Sequence, residues 1–377
     1  MRNIPFGRPI IMDEEKNAVF EVLSGHILTH GPKVKEFENQ FSSFIGGKNS
    51  LAVASCTASL HLAYFYLGLG PGDEVIVPAQ THAATGHSVE FCGAKPVFVD
   101  CELNTGNINI DLIEDAITER TKAISVVHFL GITVKMDLIT SIAKKYNLFV
   151  VEDCALAIGS YFKDIHAGLH GDVGCFSFYP VKHMTTAEGG MFVTKHSDIA
   201  KTVSKQRAFG LDKQLSERKI PGVYDIDMLG FNYRMSEIQA AIGVEQLKRV
   251  GSFLEKRSDN FQYLANKLKE VEKIQIIQSD DKTCKSSYYC LSVILKEDLS
   301  KRRVEIINKL KENGIGTSIY YPRPVPLMKY YRQKYGYTND MFPNASVISN
   351  SSIALPVGPH LGIEDMEYIS EEFRKIL

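Results

Sequence analysis

The chain has 377 residues, with 43 Lys plus Arg against 44 Asp plus Glu, and 44% of its residues are hydrophobic. That balance argues against a general nucleic-acid binder, which needs surplus positive charge to displace counterions from phosphates. No apolar run reaches the ~18 residues that span a bilayer, and the start, Met-Arg-Asn-Ile-Pro-Phe-Gly, lacks the apolar block of a signal peptide. The seven cysteines, at 56, 92, 101, 154, 175, 284 and 290, contain no CxxC pair. They read as thiols of a reducing cytoplasm, with neither a disulfide framework nor a metal site expected.

Length alone suggests two or three domains. From residue 50 to 200, short apolar runs alternate with amphipathic stretches. The runs are Leu51–Ala54, Glu74–Val77, Pro96–Val99, Ala123–Val127 and Leu148–Val151. Helical periods fill the gaps at Ala58–Tyr66, His82–Phe91, Leu112–Ile117 and Met136–Tyr146. Val- and Ile-rich runs separated by helices indicate βαβ units and a largely parallel sheet covered on both faces. Val173–Phe178 and Met191–Thr194 read as strands joined by a loop of about a dozen residues, too short for a crossover helix and long enough to be functional. Residues 198–260 read as mostly helical. Beyond them the pattern is α+β: a helix at Arg257–Val271, a strand at Tyr288–Leu295, a helix at Lys301–Asn313, a strand at Gly316–Tyr321 and a closing helix at Glu364–Ile376.

Three local features point to chemistry. Lys182 sits in the long loop among Pro180, Val181 and Met184. Burial among apolar neighbours lowers a lysine's pKa and exposes a neutral amine able to form a Schiff base; the plainer reading is a surface lysine. A buried strand ends at Glu152-Asp153, where open α/β sheets carry ligand contacts. A carboxylate there suits the pyridinium nitrogen of pyridoxal phosphate, or simply caps a helix. Ser55-Cys-Thr-Ala-Ser59 carries a strand into a helix, whose N-terminal N–H groups suit a phosphate or a plain Ser/Thr cap. Gly68-Leu-Gly-Pro-Gly72 follows a helix instead of opening one, so it reads as a helix stop and turn, not a dinucleotide fingerprint. Together, the phosphate turn, strand-end aspartate and loop lysine stand in the order one cofactor needs.

Over nearly its whole length the sequence resembles the DegT-like nucleotide-sugar aminotransferases, a branch of the fold-type I pyridoxal-phosphate enzymes. The stretches that carry the resemblance are Leu28-Thr-His-Gly-Pro32, Ser55-Cys-Thr-Ala58, Pro71-Gly-Asp-Glu-Val-Ile-Val-Pro78, Gly93-Ala-Lys-Pro-Val-Phe-Val-Asp100, Val151-Glu-Asp153, Phe176-Ser-Phe178, Lys182, Glu188-Gly-Gly190, Gly230-Phe-Asn-Tyr-Arg-Met-Ser236 and Phe342-Pro-Asn-Ala345. The resemblance implies an α/β fold-type I architecture, with a large, mostly parallel seven-stranded sheet in residues 1–250 and a smaller α+β part in 251–377. It implies pyridoxal 5′-phosphate as cofactor, glutamate and a nucleotide-linked keto sugar as substrates, and a homodimer with shared sites.

The resemblance also assigns roles. Lys182 forms the Schiff base and moves the proton; Asp153 pairs with the pyridine nitrogen. Cys56, Thr57 and Ser177 hold the phosphate, and Asn232 reaches the phosphate in the neighbouring subunit. His82 lies over the cofactor ring. Thr29 and His30 fall in a loop used near the substrate. Tyr320, Tyr321 and Arg323 could meet a base or diphosphate, or form a Pro-rich connection with packed tyrosines. Arg234 is expected to bind a substrate anion or, the favoured reading, to tie the dimer. One position departs from the pattern: Leu156 stands where the family carries Gln or His near the cofactor O3′, and leucine donates no hydrogen bond. Two rival readings remain at this level, a pyridoxal-phosphate dehydratase or lyase and a non-catalytic sugar-nucleotide sensor.

Overall fold

A computed structural model of the protein describes residues 2–213, 220 and 222–377. Its strands, in chain order, are β1 (Asn49–Val53), β2 (Glu74–Pro78), β3 (Lys95–Val99), β4 (Thr121–Val127), β5 (Phe149–Asp153), β6 (Tyr161–Phe162), β7 (Ile165–His166), β8 (Val173–Ser177), β9 (Gly190–Thr194), β10 (Ile274–Ile276), β11 (Cys284–Lys285), β12 (Leu291–Leu295) and β13 (Ser352–Leu355). The helices are α1 (Asp13–Ser24), α2 (Pro32–Ile45), α3 (Cys56–Tyr66), α4 (Ala83–Glu90), α5 (Met136–Tyr146), α6 (Ser197–Gln206), α7 (Glu237–Leu268), α8 (Asp298–Lys301), α9 (Arg303–Glu312), α10 (Lys329–Tyr335), α11 (Pro343–Ser351) and α12 (Ile363–Ile376).

The large sheet has seven strands in the order β1-β9-β8-β5-β4-β2-β3. β3, β2, β4, β5 and β8 pair in parallel. β9 runs antiparallel to both its neighbours, β8 and β1, and is the one reversed strand of this sheet. Every residue of β2, β8 and β9 is buried, which is why these strands read as continuous apolar runs without polar alternation. One face is covered by α2 and the first half of α7, where Phe37, Phe41, Phe176, Phe178, Ala240 and Val244 share a core. A second three-stranded sheet, β10-β12-β13, buries Val293, Leu295 and Ile353 against Phe261, Leu264 and Leu268 of α7 and Phe373 of α12.

Helix starts follow local chemistry. Ser236 and Gln239 form a capping box at α7. α2 begins at Gly31-Pro32 without a side-chain cap of its own. Its cap comes from Glu237 of α7, whose carboxylate accepts the N–H groups of Gly31 (3.1 Å), Lys33 (2.7 Å) and Val34 (3.1 Å). At the other end, Ile4 pairs with Ile315 and joins the second core.

Three expectations fail for physical reasons. Leu112–Ile117 is two single 3₁₀ turns, Ile110–Leu112 and Glu114–Ala116, too short to continue as a helix before β4. The stretch 198–260 is helical only in α6 and α7; between them the chain runs in irregular bridged segments such as Leu211↔Ile226 and Ala208↔Asn232, while 214–219 and 221 lie outside the described residues. Gly316–Tyr321 makes a single bridge, Ser318↔Ala354, and then turns back toward the large sheet. α7 itself spans position 250 and continues to Leu268.

Candidate active site at one edge of the sheet

β4, β5 and β8 end in register, with Val127 beside Asp153 and Asp153 beside Cys175. β9 begins at the same edge, so Gly190 pairs with Ser177 on one side and Val53 on the other. The strand-to-helix turns after β1 and β2 open here too, which gathers the C-terminal ends of five strands and the start of β9 around one space.

The first wall is the start of α3. Ser55 Oγ accepts the N–H of Ala58, and Ser55 O takes the N–H of Ser59 at 3.1 Å. The amides of Cys56 and Thr57 lie ahead of that first intrahelical bond and carry the positive end of the helix dipole. Gly190 presses against this turn. A Cβ built on it would lie 2.4 Å from the Ser55 carbonyl carbon and 2.6 Å from the Cys56 nitrogen. Only glycine allows β9 and the helix start to meet here. Ser177, at the end of β8, completes this side, its Oγ accepting the Tyr179 N–H at 3.5 Å.

The floor is Asp153. Its Oδ2 accepts from Thr85 Oγ1 at 2.8 Å, and its Oδ1 accepts the Ala155 N–H at 3.1 Å. The Cys56 thiol points at Oδ1 from 3.9 Å. Burial, reinforced by Asp153, pushes that thiol's pKa well up, so it stays protonated. His82 caps α4, its Nδ1 accepting the Ala84 N–H. Burial lowers its pKa, so a neutral, flat ring faces the site, edge-on to Tyr321 at 5.7 Å.

Lys182 hangs in the β8–β9 loop. Its N–H bonds Tyr179 O at 2.9 Å, and the loop beyond it is fixed by Thr185 Oγ1, which donates to Phe178 O and accepts from the N–H of Ala187. Among the described residues the Lys182 Nζ makes no hydrogen bond or ion pair; it lies 5.6 Å from the centre of the Tyr289 ring. Desolvation lowers its pKa, opposed by Cys56 and Asp153. A deprotonatable amine without a polar partner, beside an anchored carboxylate and an anion-ready helix end, is the donor set pyridoxal phosphate needs.

Other expected residues are placed differently. Tyr321 stands beside the rings of His82 and Phe129, near Asp153 and Cys56, and burial raises its pKa. Thr29, His30, Asn232 and Arg323 are exposed, and no hydrogen bond or ion pair links Thr29, Asn232 or Arg323 to the Lys182 group. Arg234 packs over the Phe209 ring at 4.9 Å. Leu156 is buried in the main core, and its carbonyl accepts from Ser287 Oγ at 2.8 Å. Sequence reasoning missed Thr85 and Tyr289, because nothing local ties either to Asp153 or Lys182.

The DegT/DnrJ/EryC1/StrS aminotransferase family model matches residues 9–374. The chain is a member of that family. The aminotransferase is 36% identical to the spore coat polysaccharide biosynthesis protein SpsC of Bacillus subtilis, over 99% of this chain and 97% of that one. It is 31% identical to the UDP-4-amino-4-deoxy-L-arabinose–oxoglutarate aminotransferase of Shewanella sediminis, over 99% and 98% of the two chains. A Streptococcus pneumoniae protein solved in its PLP form superposes with a TM-score of 0.92 at 31% identity, covering 100% of this chain and 98% of that one. The aminotransferase has the fold-type I architecture and uses pyridoxal phosphate as its cofactor. Among the described residues, no helix is long and apolar enough to cross a membrane.

Proposed function

We propose that this aminotransferase moves the amino group of glutamate to the keto carbon of a nucleotide-linked deoxysugar in the cytoplasm, for surface polysaccharide or related sugar biosynthesis. The observation that carries the reading is the Lys182 Nζ, half-buried, without a polar partner among the described residues, and electrostatically coupled to Asp153. The name of the Shewanella relative pairs a UDP-linked amino sugar with oxoglutarate, which supports both the sugar and the donor.

When bound, pyridoxal phosphate supplies the electron sink for the α-carbon. Lys182 Nζ would hold the cofactor aldehyde, and its free amine would serve as the base for the donor's Cα proton. In the return half the same amine would supply the proton to the sugar carbon that gains nitrogen. Asp153 would keep the ring nitrogen protonated. The amides of Cys56 and Thr57, with Ser177, would hold the phosphate. His82 would pack against the ring, and its neutrality would avoid placing a cation beside Lys182. Tyr321, Thr29, His30 and Arg323 meet the sugar nucleotide.

Residues 1–250 carry the cofactor and 251–377 form the smaller α+β part. Two copies share each site, with Asn232 reaching the partner's phosphate. Two segments that adjoin the start of α7 support this pairing: Phe20, Leu23, Ile27 and Leu28 on one, Val223, Ile226 and Leu229 on the other, all exposed apolar side chains. Such a surface on a monomer marks an interaction site.

The test uses the holoenzyme. Its absorbance near ~420 nm, set by the cofactor's own chemistry, shifts to ~330 nm on adding glutamate, and mass spectrometry finds an amino sugar from one member of a panel of UDP-, dTDP-, GDP- and CDP-linked keto sugars. Lys182→Ala loses both responses. Turnover by that variant, or sugar product formed without glutamate being consumed, overturns the reading.

A further inference from the structure

Two buried threonines stand behind Asp153. Thr85 Oγ1 donates to Asp153 Oδ2 at 2.8 Å, and Thr81 and Thr85 hydroxyls are 2.8 Å apart. Thr81 is 1% and Thr85 0% exposed, so neither hydroxyl faces bulk solvent. Its direction is fixed by valence. A carboxylate only accepts, so Thr85 must spend its one proton on Asp153, and Thr81 must then donate to Thr85. Both threonines lie in the turn that opens α4, and His82, the N-cap of that helix, lies between them.

We propose that Thr81 and Thr85 form a hydroxyl relay that positions Asp153, holding its carboxylate in the one orientation that meets the cofactor's ring nitrogen. The inference rests on the cofactor reading above and deepens it. Thr85 occupies Oδ2 and the Ala155 N–H holds Oδ1 from the chain side, so the carboxylate cannot rotate without breaking a bond to a charged acceptor. The same turn that sets His82 over the ring thereby sets the partner of the ring nitrogen. Ring stacking and ring protonation are delivered by one rigid element, α4.

Thr85→Val replaces the hydroxyl by a methyl of similar size and leaves the Asp153 oxygen without its donor. Losing one hydrogen bond to a charged acceptor corresponds to about a ten-fold or greater loss in equilibrium. Pyridoxal phosphate binding, followed by absorbance titration, is expected to weaken at least ten-fold. The pH at which the bound cofactor's visible band changes is expected to move, with the apo-protein's melting temperature recorded alongside. Thr85→Ser keeps the donor and restores affinity and band position to within about two-fold, whereas a purely packing role would leave Val near wild type and make Ser, which lacks the methyl, the deficient variant. Thr81→Val removes the outer donor only and shows the same spectral displacement at smaller size. Should Thr85→Val not fold, these two variants decide: a Ser variant as weak as a cavity mutant, or a Thr81→Val spectrum identical to wild type, overturns the relay. Wild-type affinity and wild-type band titration in Thr85→Val also overturn it. A wild-type protein that takes up no pyridoxal phosphate would instead remove the cofactor reading itself, a separate result visible before any variant is made.

Discussion

Gly190→Ala tests the contact that sets the start of α3, proposed above to hold the phosphate. The added Cβ would meet main-chain atoms, 2.4 Å from the Ser55 carbonyl carbon and 2.6 Å from both the Cys56 nitrogen and the Ser55 oxygen. Main chain cannot swing aside as a flexible side chain can. Restoring an ordinary 3.4 Å contact moves β9 away from the start of α3 by about 1 Å. Overpacking of this kind costs about 1–3 kcal/mol, and a 1 Å misplacement of a positioning group costs roughly 10²-fold in a reaction rate. The expectation is therefore a melting temperature lower by several degrees, cofactor affinity reduced more than ten-fold, and a glutamate half-reaction slower by about two orders of magnitude. The assay is a thermal scan with and without pyridoxal phosphate, then stopped-flow absorbance with glutamate. Gly70→Ala serves as control, since its Cβ meets nothing within 4 Å. Wild-type affinity and rate in Gly190→Ala would refute the idea that β9 sets the helix end.

Other consequences follow from the same packing. In α7, Gly251 has open space around a Cβ while Gly243 would meet the Phe37 ring at 2.8 Å. Gly251→Ala should stabilise by roughly 0.5–1 kcal/mol and Gly243→Ala destabilise by roughly 1–3 kcal/mol, read from urea midpoints; equal effects would contradict the placement of α2 on α7. Glu237→Ala leaves three amides of the α2 start without their acceptor and should cost about 3 kcal/mol, measured the same way. Burial holds the folded pKa of His166 down at about 4, against about 6.5 unfolded. Between those values the unfolded chain binds the extra proton, so stability falls as pH drops through that window. His166→Gln should reduce the fall in urea midpoint between pH 7 and pH 5; an unaltered slope would show that this ring does not carry it.

Much of the catalytic edge is legible because its determinants are local. A buried strand must stop somewhere, and Glu152-Asp153 marks the stop; a helix must start after β1, and Ser55 marks the start. Lys182 stands out because the β8–β9 connection is too short for a helix and too long for a turn. The parallel order of the sheet follows from runs apolar enough to be buried on both faces. What fails is set by distant partners. Leu112–Ile117 has apolar spacing, yet its chain must reach β4 within a few residues. Residues 316–321 alternate like a strand, but only Ser318 finds an edge to bridge. Thr85 and Asp153 are 68 positions apart, and a hydroxyl in the first turn of a helix carries no sign of which carboxylate it will meet. Glu237 likewise looks like an ordinary acidic residue of a first helical turn, although its partners start a different helix.

α7 has 32 residues, a rod of about 48 Å. Its first half is embedded with Phe37 and Phe178 and its second half with Val293 and Ile353. A continuous helix with each end set in a different core resists bending at its middle, so closing around a bulky substrate by swinging one core against the other would have to break packing at an end. Adaptation to the sugar nucleotide therefore falls to the loops and rotamers that line the mouth, and selectivity between substrates should be transferable by exchanging those surface segments while the scaffold is left alone.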